Sequence, residues 1–235
     1  MNEAIKLSLP GENDYFTSEA YKSLRTNIQF CGHGIKVICL TSVMANEGKS
    51  TIALSIGKSF AELGKKVLVL DTDMRKSVIA GRNTSVDSPS GLSEYLIGLK
   101  GIEECIYPVD GCSMDVIFSG PYPPNPVELL SSVRFAELMK SFREKYDYVI
   151  LDTPPLGLVI DAAVTAQLCD GAILVWGSNK VHYKSAQNVI EQIEKGGCKM
   201  LGVIRNNRKK QSRSYYSRGK YGKYYRYEYK SKNKI

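Results

Sequence analysis

The sequence has few of the features that mark a membrane-spanning, secreted or metal-binding protein. It has no run of about 18 apolar residues, the length that a membrane-spanning helix needs, and its amino terminus lacks the basic stretch and apolar run of a secretory signal. It has two histidines, His33 and His182, and six cysteines without a CxxC pair, which indicates neither a zinc site nor a disulfide framework. We therefore expect a cytoplasmic protein whose cysteines are reduced.

The excess of positive charge is confined to one end of the chain. Of the 235 residues, 32 are Lys or Arg and 24 are Asp or Glu, for a net charge of +8. Eleven of the basic residues and one acidic residue lie in 208–235, so this tail carries +10 and the body carries −2. The tail lacks the apolar periodicity of a folded segment, which predicts disorder in an isolated subunit. It holds seven of the 15 tyrosines: Tyr215, Tyr216, Tyr221, Tyr224, Tyr225, Tyr227 and Tyr229.

Short apolar segments alternate with amphipathic ones along the body. Apolar segments that show no polar alternation are typical of strands in a parallel sheet covered on both faces. The sequence therefore predicts one doubly wound α/β domain over 35–207, with a mostly parallel sheet, an N-terminal segment over 1–34 and a tail over 208–235. The predicted strands are 35–42, 65–73, 114–120, 146–155, 171–178 and 199–206. The predicted helices are 17–31, 49–64, 126–146, 159–169 and 183–197, with a long loop and a short helix within 74–113.

A phosphate-binding motif follows the first predicted strand of the domain. Residues 41–51 read TSVMANEGKST, and Gly48, Lys49 and Ser50 form the second half of a P-loop. In such a loop, backbone N–H groups hold phosphate oxygens, the lysine neutralises the β- and γ-phosphates, and the hydroxyl binds Mg²⁺. The usual first glycine is replaced by Val43. The strand, loop and helix context nevertheless predicts a nucleotide site.

Three carboxylates end two other predicted strands. Asp71 and Asp73 follow VLVL, with Arg75 next to them, and Asp152 follows VIL. Ligands of open parallel sheets bind beyond the carboxyl ends of the strands, and carboxylates that converge on phosphates imply a divalent cation such as Mg²⁺. The sequence has no NKxD guanine signature, so ATP is the expected nucleotide.

Together these motifs resemble the bacterial tyrosine kinases of the capsule and exopolysaccharide type. The resemblance rests on TSxxxxEGKST, DxDxR at 71–75, ILDTPP at 150–155, GLSEYLIG at 91–98, SGPYPPNPVELLSS at 119–132 and the tyrosine-rich tail. It covers nearly the whole chain. It implies a P-loop NTPase of the deviant, partitioning-ATPase-like kind that is an ATP-dependent protein-tyrosine kinase. It also implies autophosphorylation of the seven tail tyrosines in trans, and regulation of capsular or extracellular polysaccharide synthesis and export.

The resemblance also implies roles for single residues. Asp71 would accept the proton of the tyrosine hydroxyl, which is a suitable task for a carboxylate in phosphoryl transfer. Asn206 matches the position that reads the adenine edge, and Thr51 would lie near the α-phosphate. The implied catalytic residues are Lys49, Asp71, Asp73 and Asp152, and the implied Mg²⁺ ligands are Ser50, Asp73 and Asp152, the last acting through water. The implied nucleotide contacts are Asn46, Glu47, Gly48, Lys49, Ser50, Thr51, Arg75 and Asn206.

Partners follow from the same resemblance. Glu19, Lys22 and Arg25 fall on a helix associated with subunit contacts in a ring-shaped homo-oligomer of the unphosphorylated protein. Lys22 replaces an arginine of the family pattern and lacks its planar, bidentate pairing. The other implied partners are a membrane-embedded activator that holds the kinase at the inner face of the cell membrane, a tyrosine phosphatase and protein substrates. In the P-loop, Ala45 and Asn46 replace Pro-Gly, and asparagine accepts the left-handed backbone better than most residues.

Two other functions fit parts of the sequence. A partitioning or division-site ATPase shares the fold, but normally carries an extra lysine where this chain has Met44, and it leaves the tail tyrosines unexplained. A nucleic-acid-binding tail fits the mixture of basic and aromatic residues. Acceptor tyrosines of a kinase explain the same residues, so no nucleic acid partner is expected. Salt-dependent binding of single-stranded nucleic acid, lost on deletion of 208–235, would favour that alternative.

Overall fold

The computed structural model describes residues 2–10, 14–83, 86, 88–177 and 181–206. Within them, a seven-stranded sheet has the order β3-β4-β2-β5-β1-β6-β7. All neighbouring strands are parallel except β3 and β4. The tail and its seven tyrosines lie outside the described residues. The strands are β1 Val37–Ser42, β2 Val67–Asp71, β3 Ile106–Pro108, β4 Met114–Ile117, β5 Tyr148–Asp152, β6 Gly171–Gly177 and β7 Met200–Asn206.

Helices cover both faces of the sheet. Along β2, Val67 and Val69 belong to the apolar cluster that contains Phe60 of α2, whereas Leu68 and Leu70 belong to the cluster formed with α6. Both faces of the central strands are therefore buried, which explains why their sequences show no polar alternation and confirms the doubly wound fold. The helices are α1 Tyr15–Phe30, α2 Lys49–Ala61, α3 Ile79–Asn83, α4 Leu92–Leu96, α5 Pro126–Leu130, α6 Val133–Lys145, α7 Asp161–Ala166 and α8 Tyr183–Lys195.

A short helix, α3, lies within the long loop that the sequence predicts, and the structure differs from the prediction in two further elements. Strand β3, of three residues, lies antiparallel at the edge of the sheet and was not predicted; it ends in Pro108, a residue that edge strands tolerate. The helix predicted over 126–146 is two helices, because the Ser132 hydroxyl accepts the N–H of Phe135 at 3.2 Å and caps a new helix. Neither difference moves the carboxyl ends of β1, β2 and β5.

Candidate functional site

The loop between β1 and α2 is built around two left-handed residues. Asn46 has φ of 63° and Gly48, the residue before α2, has φ of 96°. Asn46 therefore adopts the left-handed backbone conformation, which asparagine accepts better than most residues. Val43 is buried and is not among the described residues of positive φ, so the loop does not need a glycine at that position.

Glu47 and Asn206 hold this loop to the ends of β6 and β7. The buried Glu47 carboxylate accepts the N–H of Met44 and the N–H of Gly177, each at 2.8 Å. The Asn206 amide donates to the Glu47 carbonyl at 2.8 Å, and a Cβ on Gly48 would overlap that amide. The side chains of both predicted nucleotide contacts are thus engaged with the protein, and they fix the shape of the loop.

The loop that follows β5 packs directly against the P-loop. The Thr41 hydroxyl donates to the Pro154 carbonyl at 3.0 Å and accepts the N–H of Leu156 at 3.1 Å. A Cβ on Gly157 would overlap the Val43 carbonyl, so only glycine allows this approach. The two loops therefore form one wall of the site.

Two predicted carboxylates lie side by side at the ends of β2 and β5. Asp71 and Asp152 are register partners in the parallel pairing, and both are buried. Asp71 accepts the N–H of Asp73 at 3.0 Å through Oδ1 and the hydroxyl of Ser77 through Oδ2. Asp152 Oδ1 has no hydrogen-bond partner among the described residues. Ser77 was not predicted, although it follows the DxDxR motif closely.

Burial makes both carboxylates unusually basic. Burial raises the pKa of Asp71 well above its ordinary value, and the charge of Asp152 raises it further. Burial also raises the pKa of Asp152 to about 6, even though Lys49 and the Ser50 hydroxyl lower it. Lys49 and Ser50, the first two residues of α2, therefore lie near Asp152. The site therefore concentrates negative charge that a bound cation would stabilise.

The residues at this position fit Mg²⁺. The predicted ligands are oxygens, namely the Ser50 hydroxyl, the Asp73 carboxylate and, through water, Asp152, whose Oδ1 is unpartnered. Among the described residues, no group of three or more His, Cys, Asp or Glu side chains could hold a metal ion. That is consistent with Mg²⁺, which is usually held by one or two carboxylates together with water and substrate phosphates. We expect this cation to bind together with a nucleotide.

Replacement of Asp152 by asparagine is expected to stabilise the nucleotide-free protein at pH 8. The folded-state pKa of about 6 lies above the ordinary 3.8, so the favourable contribution of Asp152 is present below pH 4 and lost as the pH rises through 6. The difference between these two pKa values corresponds to roughly 3 kcal/mol in the free energy of unfolding. Urea unfolding at pH 4 and pH 8 measures it. An equal gain at both pH values would show that ionisation is not the cause.

The side chain of Arg75 is bound to another side chain of the protein, and its contact with a nucleotide stays a prediction. Its Nε and Nη2 donate to the two carboxylate oxygens of Asp161 at 2.9 and 3.1 Å. Asp161 is fully buried at the first position of α7. Asp161 was not predicted, and its place nine residues after Asp152 carries no motif that would have identified it. The pair fixes the segment that follows Asp73.

The predicted subunit-contact residues lie on α1. Glu19 and Lys22 form an ion pair of 2.8 Å with both side chains 45% exposed. Arg25 instead donates to the carbonyl and hydroxyl of Ser59 on α2 of the same chain. Arg25 therefore helps to pack α1 on α2, and contact with another subunit stays a prediction for all three.

A parallel sheet whose P-loop faces carboxylates at two neighbouring strand ends defines a nucleotide-binding protein of the P-loop class. Residues 35–197 match the family model described as "AAA domain". The tyrosine-protein kinase CpsD of Streptococcus agalactiae is 38% identical over 207 residues, which are 88% of this chain and 90% of that protein. The chain therefore belongs to the bacterial P-loop tyrosine kinases, and the resemblance noted in the sequence is confirmed.

A solved kinase domain supports the same assignment, and a septum site-determining protein shares the fold. The kinase domain of the Escherichia coli tyrosine kinase ETK matches with a TM-score of 0.78 and 31% identity over 86% of this chain and 80% of that one. The septum site-determining protein MinD from Pyrococcus horikoshii OT3, complexed with Mg-ADP, matches with a TM-score of 0.62 and 25% identity over 76% of this chain and 72% of that one. Within the described residues, no helix is both long and apolar enough to cross a membrane.

Proposed function

We propose that this kinase transfers the γ-phosphoryl group of ATP chiefly to the tyrosines of its own tail, with the tail of one subunit entering the site of a neighbour. The observation that carries the proposal is the buried pair Asp71 and Asp152 beside Lys49 and Ser50. Transfer of a phosphoryl group asks chiefly for positioned charges and a proton acceptor. The site supplies both, and the tail supplies acceptors.

Each residue has a distinct task in this proposal. The loop N–H groups and Lys49 bind the phosphates, and Ser50, Asp73 and Asp152 hold Mg²⁺. When bound, Mg²⁺ supplies neutralisation of the phosphate charge. Asp71 accepts the phenol proton; its pKa is raised well above the ordinary value, which brings a carboxylate closer to the basicity that proton transfer needs.

The tail also carries a regulatory proposal. Each phosphotyrosine adds about 1.5 to 2 negative charges, so about five to seven modifications would bring the +10 tail close to neutrality. We expect this change to weaken tail contacts with acidic surfaces and to loosen a ring-shaped homo-oligomer. A membrane-embedded activator and a tyrosine phosphatase would set the modified fraction at the inner face of the membrane, and thereby regulate polysaccharide synthesis and export.

Two variants, one without acceptor tyrosines and one without a working site, test transfer between subunits. One carries Tyr→Phe at all seven tail positions and keeps the site; the other carries Lys49→Met and keeps the acceptors. Incubated separately with Mg²⁺ and labelled ATP, neither should gain tail phosphotyrosine. Mixed, the Lys49→Met chain should gain it at a rate that rises with the concentration of the Phe variant, because each transfer needs the intact site of one chain and the acceptor tyrosines of another.

The wild-type protein is the positive control of the same experiment. If it gains tail phosphotyrosine and the mixture does not, transfer occurs within one chain and the proposal of transfer in trans is wrong. If the wild-type protein gains no phosphotyrosine in its tail, the choice of acceptors is wrong. Light scattering before and after full phosphorylation tests the loosening of the oligomer.

A further inference from the structure

Ser77 places a hydroxyl against Asp71, the residue proposed as the proton acceptor. Its Oγ donates a hydrogen bond to Asp71 Oδ2, while Oδ1 of the same carboxylate accepts the N–H of Asp73. Ser77 is an exposed residue, whereas Asp71 is fully buried. A hydroxyl that donates to a general base is the arrangement from which phosphoryl transfer to that hydroxyl begins. Here the hydroxyl belongs to the chain itself.

The segment that carries Ser77 is fixed on both sides. On one side, Asp73 Oδ1 accepts the N–H groups of Arg75 at 3.2 Å and Lys76 at 2.9 Å, and the Arg75 side chain is bound to the buried Asp161. On the other side, Ile79 starts α3 and is fully buried. The Ser77 hydroxyl is therefore held in place, and reacting groups that are already oriented gain most from proximity.

The hydrogen bond to Asp71 places Ser77 at the same edge of the sheet as the phosphate loop. Ser77 contacts Asp71 at the end of β2, and Asp71 is the register partner of Asp152 at the end of β5. Strand β5 pairs in turn with β1, from which the P-loop leaves. Three neighbouring strand ends thus place Ser77, the two carboxylates and the phosphate loop in one row.

We propose that Ser77 is an internal acceptor, to which the site transfers the γ-phosphoryl group of ATP within the same chain when no tyrosine is bound. The inference rests on the proposed role of Asp71 as proton acceptor. In the step, a lone pair of Ser77 Oγ forms the new bond to the γ-phosphorus, the bond between that phosphorus and the β,γ-bridging oxygen breaks, ADP leaves, and the hydroxyl proton passes to Asp71. Because the transition state is loose, the reaction depends more on position than on the basicity of the hydroxyl.

The modification would close the site to tyrosine. A phosphoserine adds about 1.5 to 2 negative charges, and at Ser77 these would lie beside Asp71 and Asp73 where a phenol must approach. A chain modified at Ser77 is therefore expected to transfer no phosphate to the tail until the serine phosphate is removed.

The test uses the full chain with all seven tail tyrosines changed to Phe, incubated with Mg²⁺ and ATP and mapped by mass spectrometry. Phosphate at Ser77 should exceed that at Ser131 by at least about tenfold, because Ser131 is an exposed serine between α5 and α6 whose hydroxyl donates to the Val127 carbonyl and not to a carboxylate. The rate constant should not change with protein concentration. Ser77→Thr should retain the modification as phosphothreonine, and Ser77→Ala and Lys49→Met should lose it.

A parallel measurement on the wild-type protein distinguishes failure of this inference from failure of the proposed function. If its tail gains phosphotyrosine while Ser77 of the Phe variant stays unmodified, the inference is wrong and the tyrosine activity stands. Equal phosphate at Ser77 and Ser131, or a rate constant that rises with protein concentration, would also overturn it. If neither tail nor Ser77 is modified, both the proposed function and the inference are wrong.

Discussion

Replacement of Lys49 by methionine is expected to lower the initial rate of tail phosphotyrosine formation by about 10²–10³-fold. Lys49 is buried at the first position of α2, and its charge already lowers the pKa of Asp152. Methionine keeps the length of the side chain but cannot neutralise phosphate charge, which develops further as the γ-phosphoryl group moves. The initial rate is measured as the transfer of label from ATP to tyrosines of the wild-type tail sequence.

The matched control is Lys140→Met, which removes the charge of an exposed lysine on α6, away from the P-loop. Its rate should stay within about twofold of the wild-type rate, since a surface charge far from the phosphates is largely screened. If both variants lose activity equally, the loss comes from net charge or folding. If Lys49→Met keeps the wild-type rate, the phosphates are not bound at this loop.

The regular elements around the site could be predicted because they depend on local pattern. The apolar segments that became β1, β2 and β5 need burial on both faces, and their carboxyl ends must then meet at one edge. That reasoning placed Asp71 beside Asp152 without knowledge of the sheet order. The edge strand β3 escaped prediction because three residues are too few to show a period.

The partners of the charged side chains could not be predicted in the same way. Arg75 is two residues from Asp73 in sequence, yet its guanidinium binds Asp161, which lies 86 residues away. Glu47 belongs to the P-loop motif, yet its carboxylate binds the N–H of Gly177, 130 residues away. Such pairings depend on which loops the fold brings together, and a pattern within one segment contains no signal for them.

Asp71 is the sharpest single test of the site, because its replacement is expected to lower activity and to raise stability. Asp71→Asn is expected to lower the rate of tyrosine transfer by about 10²–10⁴-fold, because the amide cannot accept the phenol proton. The same change is expected to raise the free energy of unfolding of the nucleotide-free protein at pH 8. Burial and the charge of Asp152 raise the pKa of Asp71, so its ionised form destabilises the fold and a neutral amide of the same shape does not.

Initial rates, the Kd for ATP and urea unfolding without Mg²⁺ measure these effects together. The Kd for ATP should stay within about tenfold, since Lys49 and the loop N–H groups hold the phosphates. Asp110→Asn, which neutralises an exposed carboxylate in the turn between β3 and β4, should leave rate and stability unchanged. Loss of stability in Asp71→Asn would mean that the hydrogen bonds from Asp73 and Ser77 outweigh the cost of the buried charge.

A double substitution then separates mutual repulsion from burial. If the two carboxylates raise each other's pKa, Asp71→Asn and Asp152→Asn should each stabilise the nucleotide-free protein at pH 8, and the double variant should gain less than the sum, because either single change already removes the repulsion. Additive gains would mean that burial alone makes each carboxylate costly. In the presence of Mg²⁺ and ATP, Asp152→Asn and the double variant should lose their advantage in stability over the wild-type protein, since Asp152 is a proposed Mg²⁺ ligand and ligand binding stabilises the fold.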